Sequence, residues 1–410
     1  MENKKGIKMT KIQNEIIEII DKLSKNAMFR LSLCSKELFH SNFWAWLIEQ
    51  KPKFVSIFGN EFSNVENIDI KREEKICAVK HEDIFTENKF YKKTCIADIS
   101  FIFDGNLYII ENKLKALPNK EQLYDYLNGN IINDKYTGLQ RKVILTSFTK
   151  PVFKTDNNIK FISYEEICLN LKSLKYLFDN DNGNKIILEN YIEYLELMNK
   201  LNESLSLKNS SLTYGELLDK INNTNLQEKI EKLHFDTFIK NLMYCHLVTD
   251  ILENTKYENL FTCVTYSSRE KHAYMDIMIS IHDRTLKEIS EYRKKGKKDF
   301  ETFYAGIQIA DEEYRKYFNV IKKVKQKNNE TKNALTKNLY EDFSTFINET
   351  NKDSLNCNRA NNNGFYCYDY EEDAWLYRKT NVDIRSLNFE KLKEIIIKDL
   401  NYLKNKSDKY

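Results

Sequence analysis

The segment CIADISFIFDGNLYIIENK, Cys95 to Lys113, sets three charges, Asp98, Glu111 and Lys113, into two apolar runs that meet at Asp104-Gly105. An Asp-Gly pair tolerates the positive φ values of a type I′ turn, so the segment is expected to fold as a hairpin. With that turn Asp98 stands opposite Glu111. With the turn slipped to Gly105-Asn106 it stands opposite Lys113. Strand alternation keeps Glu111 and Lys113 together, so in both registers all three charges share one side of the sheet. Carboxylates facing each other across a ladder repel, and folding alone gives no reason to put them there. Hard divalent cations such as Mg²⁺ prefer such oxygens and keep several waters, so an ion would remove the repulsion. Lys113 then stands where it can orient a metal-bound water or stabilise charge developing on a phosphate. The bland alternative is a structural salt-bridge cluster at a sheet edge, which the spacing alone allows.

A second group lies upstream in ELFHSNFWAWL. Helical geometry puts Glu37, His40, Ser41 and Trp44 on one face at i, i+3, i+4 and i+7. His40 and Ser41 are candidates for substrate contact, or for hydrogen bonds that merely orient the helix. Glu73, in IKREEK on the preceding strand, is a lesser candidate.

Taken together, Ala97-Asp98 on one strand, Glu111-Asn112-Lys113 on the next, and a following helix with Gln122 and Tyr126 at i, i+4 resemble the PD-(D/E)XK nuclease superfamily, with Ala97 where that pattern has Pro. The E-x-x-H-S element, the I-E-N-K motif and Q-L-x-x-Y look like one branch of it over about residues 30–200, largely uncharacterised bacterial proteins to which phage defence is often ascribed. The resemblance implies that the carboxylates of Asp98 and Glu111 and the backbone carbonyl of Asn112 ligate Mg²⁺ or Mn²⁺. It implies Lys113 as the catalytic lysine, Glu37 as a helix-borne acid near the metal, and Gln122 and Tyr126 as the polar helix face beside it, Gln122 in the catalytic set and Tyr126 against the substrate.

The elements that must hold these residues are legible along the chain. Residues from Ile12 to Leu23 recur at helical spacing, and a second helix is expected from Ser35 to about Gln50. Strands are expected at Ile68–Val79, Cys95–Phe103 and Leu107–Lys113, a helix at Lys120–Leu127, and strands at Lys142–Phe148 and Lys160–Ser163. This order, α-β-β-β-α-β, is that of a restriction-endonuclease-like core. Two further helices, Tyr164–Leu177 and Lys185–Leu201, precede the polar run Asn202–Ser211, where a boundary is expected between a nuclease-like domain, residues 1–201, and an α/β C-terminal domain, residues 212–410. That second part opens with helical Gln227–Leu252. It continues with strands at Leu260–Tyr266, Tyr274–His282, Phe303–Ile309, Phe365–Tyr370 and Trp375–Tyr377, with helices filling the gaps and one near Lys391–Leu403. A polar loop is expected at 351–364.

Composition bounds the reading. A chain of 410 residues exceeds one comfortable core, and 41% hydrophobic with 30% charged residues is globular rather than disordered. The 64 basic and 61 acidic groups leave a net charge of only +3, so nucleic-acid contact must come from local patches. Basic runs at 292–298 and 322–327 are candidates, although charge runs are usually solvated surface. The eight Cys form no C-x-x-C pair, which argues against a zinc cage. No stretch is long and apolar enough to span a bilayer, and the N-terminus lacks a signal-peptide core, so a cytoplasmic protein with no membrane association is expected. Asp276 in YMDIMISI is followed by no E-x-K, which favours a packing role.

The expected function is hydrolysis of nucleic-acid phosphodiester bonds, DNA rather than RNA, by attack of a metal-activated water. The second domain is expected to bind substrate, a regulatory partner or another copy of the chain. The competing classes are a catalytically silent binding protein that keeps the fold, and a nuclease toxin held inactive until released.

Overall fold

In the computed structural model, residues 15–32, 37–82, 90–114, 116–222, 236–253, 255–257, 261–267, 273–280, 300–323, 346, 365–369, 373–380 and 382–408 are described. The chain divides into two compact units, one of Met1–Ser210 with Asp219–Thr249 and one of Ser211–Leu218 with Asp250–Tyr410.

In the first unit, helices α1 (residues 15–25) and α2 (Ala27–Leu31) lead to α3 (Glu37–Gln50). Strands β1 (Ile70–Glu82), β2 (Phe90–Phe103) and β3 (Asn106–Lys113) follow as an antiparallel meander. The turn between β2 and β3 has the positive φ values its residues invite, 48° at Asp104 and 68° at Gly105, and it sets Phe103 opposite Asn106. Of the two registers open to the hairpin, this is the one that carries Asp98 toward Glu111. Helix α4 (Lys120–Asn128) then crosses over, and β5 (Gln140–Ser147) returns parallel to β3, as a parallel pairing requires. A two-residue strand β4 (Asn130–Ile131) and β6 (Ile159–Ser163) complete the sheet order β4-β1-β2-β3-β5-β6.

Alternation on the central strands builds the core. Leu107 and Ile109 of β3, with Val143 and Leu145 of β5, meet Leu123 and Tyr126 of α4. Asn119 caps α4, its side chain accepting from the backbone N–H groups of Glu121 and Gln122, so the direction of the helix and hence of Gln122 is fixed at its first turn. Helices α5 (Tyr164–Ser173) and α6 (Asn182–Ser204) pack on each other, α5 opening with a Ser163/Glu166 capping box.

The expected α-β-β-β-α-β order is present, in a restriction-endonuclease-like core. A first break falls between Ser210 and Ser211, inside the polar run Asn202–Ser211, but the chain crosses between the units more than once. Helix α7 (Tyr214–Ile221) begins in the second unit and ends in the first, and most of α8 (Asp236–Leu252) belongs to the first unit, where His246 Nε2 meets Asn202 Oδ1 of α6 at 2.7 Å.

The second unit is α/β, with a six-stranded antiparallel sheet, order β11-β12-β10-β9-β8-β7, from β7 (Thr262–Ser267), β8 (Ala273–Ser280), β9 (Phe300–Ala310), β10 (Glu313–Lys323), β11 (Phe365–Asp369) and β12 (Asp373–Lys379). Helix α9 (Phe389–Ser407) anchors to it through Asp399, which accepts from Tyr314 Oη and Lys316 Nζ, each at 2.7 Å. Strand β10 stands where a helix was expected to fill the gap, paired to β9 across a turn that carries no Gly, with Asp311 at φ 49°. Lys322 and Lys323 of the second basic run end β10; residues 324–327, the run 292–298 and the loop 351–364 lie outside the described residues. Asp276 is buried and accepts from Gln308 Nε2 at 3.0 Å, in keeping with packing.

Gly105 would present an added Cβ to open space, so only its backbone conformation resists substitution. Gly105→Ala should therefore cost about 1 kcal/mol in urea unfolding, the usual cost of left-handed backbone in an L-residue. A loss of several kcal/mol would contradict a turn held by φ alone.

Candidate active site

The site forms where the sheet stops being regular. The ladder between β2 and β3 ends at Ile99–Ile110, one step before Asp98 and Glu111. The ladder between β1 and β2 has rungs Arg72–Ile99 and Glu74–Ala97 with none between them, and Glu73, at that gap, has φ 48°. Asp98 thus lies at a break with both neighbouring strands. Its side chain replaces what the ladder loses. In a continued hairpin the Asn112 N–H would donate to β2 main chain, but it donates instead to Asp98 Oδ2 at 2.8 Å.

Glu111 is 4% exposed and closely surrounded. Its Oε1 accepts from Gln122 Nε2 and pairs with Lys113 Nζ, both at 2.7 Å, and its Oε2 accepts from Tyr126 Oη at 2.6 Å. Tyr126 Oη also lies 2.6 Å from the Ile96 carbonyl. Burial first, then the charge of Glu111, pushes the Tyr126 phenol well up, so it stays protonated and donates. Glu37, at the first turn of α3, accepts from Leu114 N–H through Oε1 at 2.9 Å and so reaches the end of β3.

The charges do not balance. Burial, followed by the field of Glu111 and with a smaller contribution from Glu37, pushes Asp98 up to about 7, against the pull of the Asn112 N–H and of Lys113. Burial alone would pull Lys113 down, but Glu111, Glu37 and Asp98 outweigh it and carry the ammonium above its ordinary value. One lysine faces three acids, and with all ionised two negative charges remain, which is what one divalent cation neutralises.

The donor chemistry suits such an ion. Asp98 Oδ1, Glu37 Oε2 and a lone pair on Glu111 Oε2 are left over from the bonds above, and all are hard oxygens. Among the described residues no group of three or more His, Cys, Asp or Glu side chains is placed to hold a metal ion by itself. An ion here would be held through one or two carboxylates, with waters completing its shell, as Mg²⁺ commonly is.

The structure brings Asp98, Glu111, Lys113, Glu37, Gln122 and Tyr126 to one place, with Asn112 between Glu111 and Lys113. It does not offer His40, Ser41 or Tyr126 to a substrate. His40 is fully buried, Nδ1 meeting Tyr191 Oη at 2.8 Å and Nε2 meeting Tyr194 Oη at 3.2 Å. Burial drops its pKa to about 3, so the ring is neutral. Ser41 is also fully buried and bonds the Glu37 carbonyl at 3.3 Å, and Tyr126 is 1% exposed. These three are corrected from substrate contacts to supports: His40 and Ser41 because that face of α3 looks into the packed interior, and Tyr126 of α4 because its hydroxyl is turned inward to Glu111 and the Ile96 carbonyl. Glu73 is exposed at the kink, while its neighbour Glu74 turns to Ser100 Oγ and Lys135 Nζ, each at 2.9 Å.

Tyr164 and Thr146, which bond the Asn112 side chain, carried no signal in the sequence, since neither lies at a telling spacing from the acids. Residues 26–211 match the family model described as the PD-(D/E)XK nuclease superfamily. No curated protein and no solved structure matches the chain.

Two stability consequences follow from the titrations. Asp98, raised from 3.8 to about 7, stabilises the metal-free fold fully below pH 3.8 and loses that contribution as pH rises through 7. His40, lowered from 6.5 to about 3, does the opposite, its contribution being present above pH 6.5 and lost as pH falls toward 3. In chelator, Asp98→Asn should therefore equal wild type near pH 3.8 and exceed it by roughly 1–3 kcal/mol at pH 8, the linkage expected of a buried acid. Added Mg²⁺ should stabilise wild type only. Chemical unfolding across pH reads both; loss of stability in Asp98→Asn together with identical Mg²⁺ responses would make the three charges architecture.

Proposed function

Residues 26–211 belong to the PD-(D/E)XK nuclease superfamily, and from that premise we propose that the chain is a Mg²⁺-dependent nuclease that hydrolyses phosphodiester bonds of DNA. The family match supports a nuclease acting on nucleic acid. The metal, the preference for DNA over RNA and a role in phage defence are our reading, the last resting on the resemblance of the motifs.

The observation that carries the reading is the undercompensated acid pair: buried Glu111 with its Lys113 partner at 2.7 Å, and half-buried Asp98 beside it, driven up to about 7. Asp98, Glu111, Glu37 and the Asn112 carbonyl would hold the ion. When bound, the ion supplies charge neutralisation at the phosphate and acidifies the attacking water. The chain's own groups do the rest. Lys113 keeps its proton because its surroundings raise it, so Nζ acts as a positive hydrogen-bond donor toward charge developing on the phosphate and not as a general base. Gln122 and Tyr126 hold the Glu111 carboxylate in one orientation. Asn112 N–H does the same for Asp98.

Incubating the full chain with plasmid, linear DNA and RNA, with Mg²⁺ or Mn²⁺ and with chelator, tests this. Cleavage of DNA that needs the metal is expected. Metal-saturated protein that binds DNA without cutting it would favour a silent binding protein. Lys113→Met and Glu111→Gln, each close in size to the original, should lower the cleavage rate by about 100-fold or more with the circular dichroism unchanged, since each removes an electrostatic element of the reaction. Unaltered cleavage by both would remove the assignment.

A further inference from the structure

Asn112 is bonded to the Asp98 carboxylate on one side of the site and to the Glu37 main chain on the other. Strand alternation turns Glu111 and Lys113 to one face of β3 and Asn112 to the other, where it is 1% exposed. Its main-chain N–H donates to Asp98 Oδ2 at 2.8 Å. Its side-chain Nδ2 donates to the Glu37 carbonyl at 2.9 Å and to Ser41 Oγ at 3.4 Å. Its Oδ1 accepts from Tyr164 Oη at 2.6 Å and from Thr146 Oγ1 at 3.1 Å. Both amide donors and both acceptor lone pairs are used, so neither the amide's rotation nor its flip is free.

We propose that the Asn112 side chain is a positioning residue that sets where the Glu37 carboxylate stands relative to Asp98 and Glu111. The proposal rests on the divalent-ion reading given above. Two tethers hold Glu37. Its main chain is tied to the side-chain amide of Asn112 in β3, and its carboxylate is tied to the N–H of Leu114, the residue that follows β3. The start of α3 is thereby fastened at residues 112 and 114, and Asp98 is fastened to the first of them. Helix and hairpin acids thus share one reference point. Tyr164 orients the amide from behind, and the His40 ring packs edge-on to Tyr164 at 5.3 Å between centroids, so the buried polar group on α3 stiffens the same tether.

Packing alone would also bury Asn112, and the two roles separate in a double-mutant cycle read by metal binding. The apparent Mg²⁺ dissociation constant of the full chain is measured without nucleic acid, from the Mg²⁺ dependence of the melting temperature, for wild type, Asn112→Ala, Glu37→Gln and the double variant. Asn112→Ala should weaken Mg²⁺ at least fivefold in the wild-type background and less than twofold in the Glu37→Gln background, because the charge it positions has gone. Tyr164→Phe removes one hydroxyl from the same tether. Should Asn112→Ala fail to fold, this variant serves in its place, with about a twofold weakening that vanishes in the Glu37→Gln background. An unchanged dissociation constant, or equal shifts in both backgrounds, overturns the positioning role and leaves the nuclease reading standing. Wild type that shows no Mg²⁺ response at all overturns the ion site itself, and this proposal with it.

Discussion

Everything at the centre of the first unit depends on a surplus of negative charge around one buried carboxylate, Glu111. Glu111 has Lys113, Gln122 and Tyr126 around it, whereas Asp98 has only a backbone N–H and the outer field of the same lysine. A structural ion pair would be built with matched charges, since an unpaired buried carboxylate costs several kcal/mol unless it takes up a proton. Asp98 pushed up to about 7 sits at that compromise, half protonated near neutrality. The fold tolerates this cost in the place where a divalent cation would relieve it.

The backbone shares in the arrangement. Regular pairing would have used the Asn112 N–H within the ladder, and alternation would have run unbroken through Glu73 and Asp98. Instead the rung is given to a side chain and Glu73 takes a left-handed conformation. Residues in sparsely populated backbone regions cost on the order of 1 kcal/mol and persist where their surroundings fix them. Parallel pairing of β3 with β5 continues on the other side to Lys113–Ser147, so the strand carrying Glu111 and Lys113 stays anchored while its antiparallel partner opens away.

Much of this was legible in the sequence, and the failures have physical causes. Asp104-Gly105 announced its own turn, and the turn fixed the register that aims Asp98 at Glu111. Residues Glu37, Gln122 and Tyr126 were read from motif and helical spacing. His40 was misplaced because periodicity says which residues share a helix face and not what that face meets; here it meets Tyr191 and Tyr194 of α6, more than 150 positions away. Asn112 was noticed for its carbonyl alone, since nothing local shows a side chain bonded to four groups on two helices and a strand. Strand β10 was hidden because its buried side chains lie on both faces. Tyr314 reaches Asp399 on one side and Tyr317 lies over Gly306 on the other, so the buried aromatics fall three residues apart, as in a helix, and the turn at Asp311 lacks the glycine that marks a hairpin.

The surplus charge is a seat for a divalent cation if an ion is found on it. A crystal of the full chain grown with Mn²⁺ and measured for anomalous scattering addresses it directly. One strong peak is expected at ligand distance from the carboxylates of Asp98 and Glu111, with Lys113 Nζ drawn away from its 2.7 Å contact with Glu111. The absence of a peak there at saturating Mn²⁺, with the Lys113–Glu111 pair intact, would contradict it.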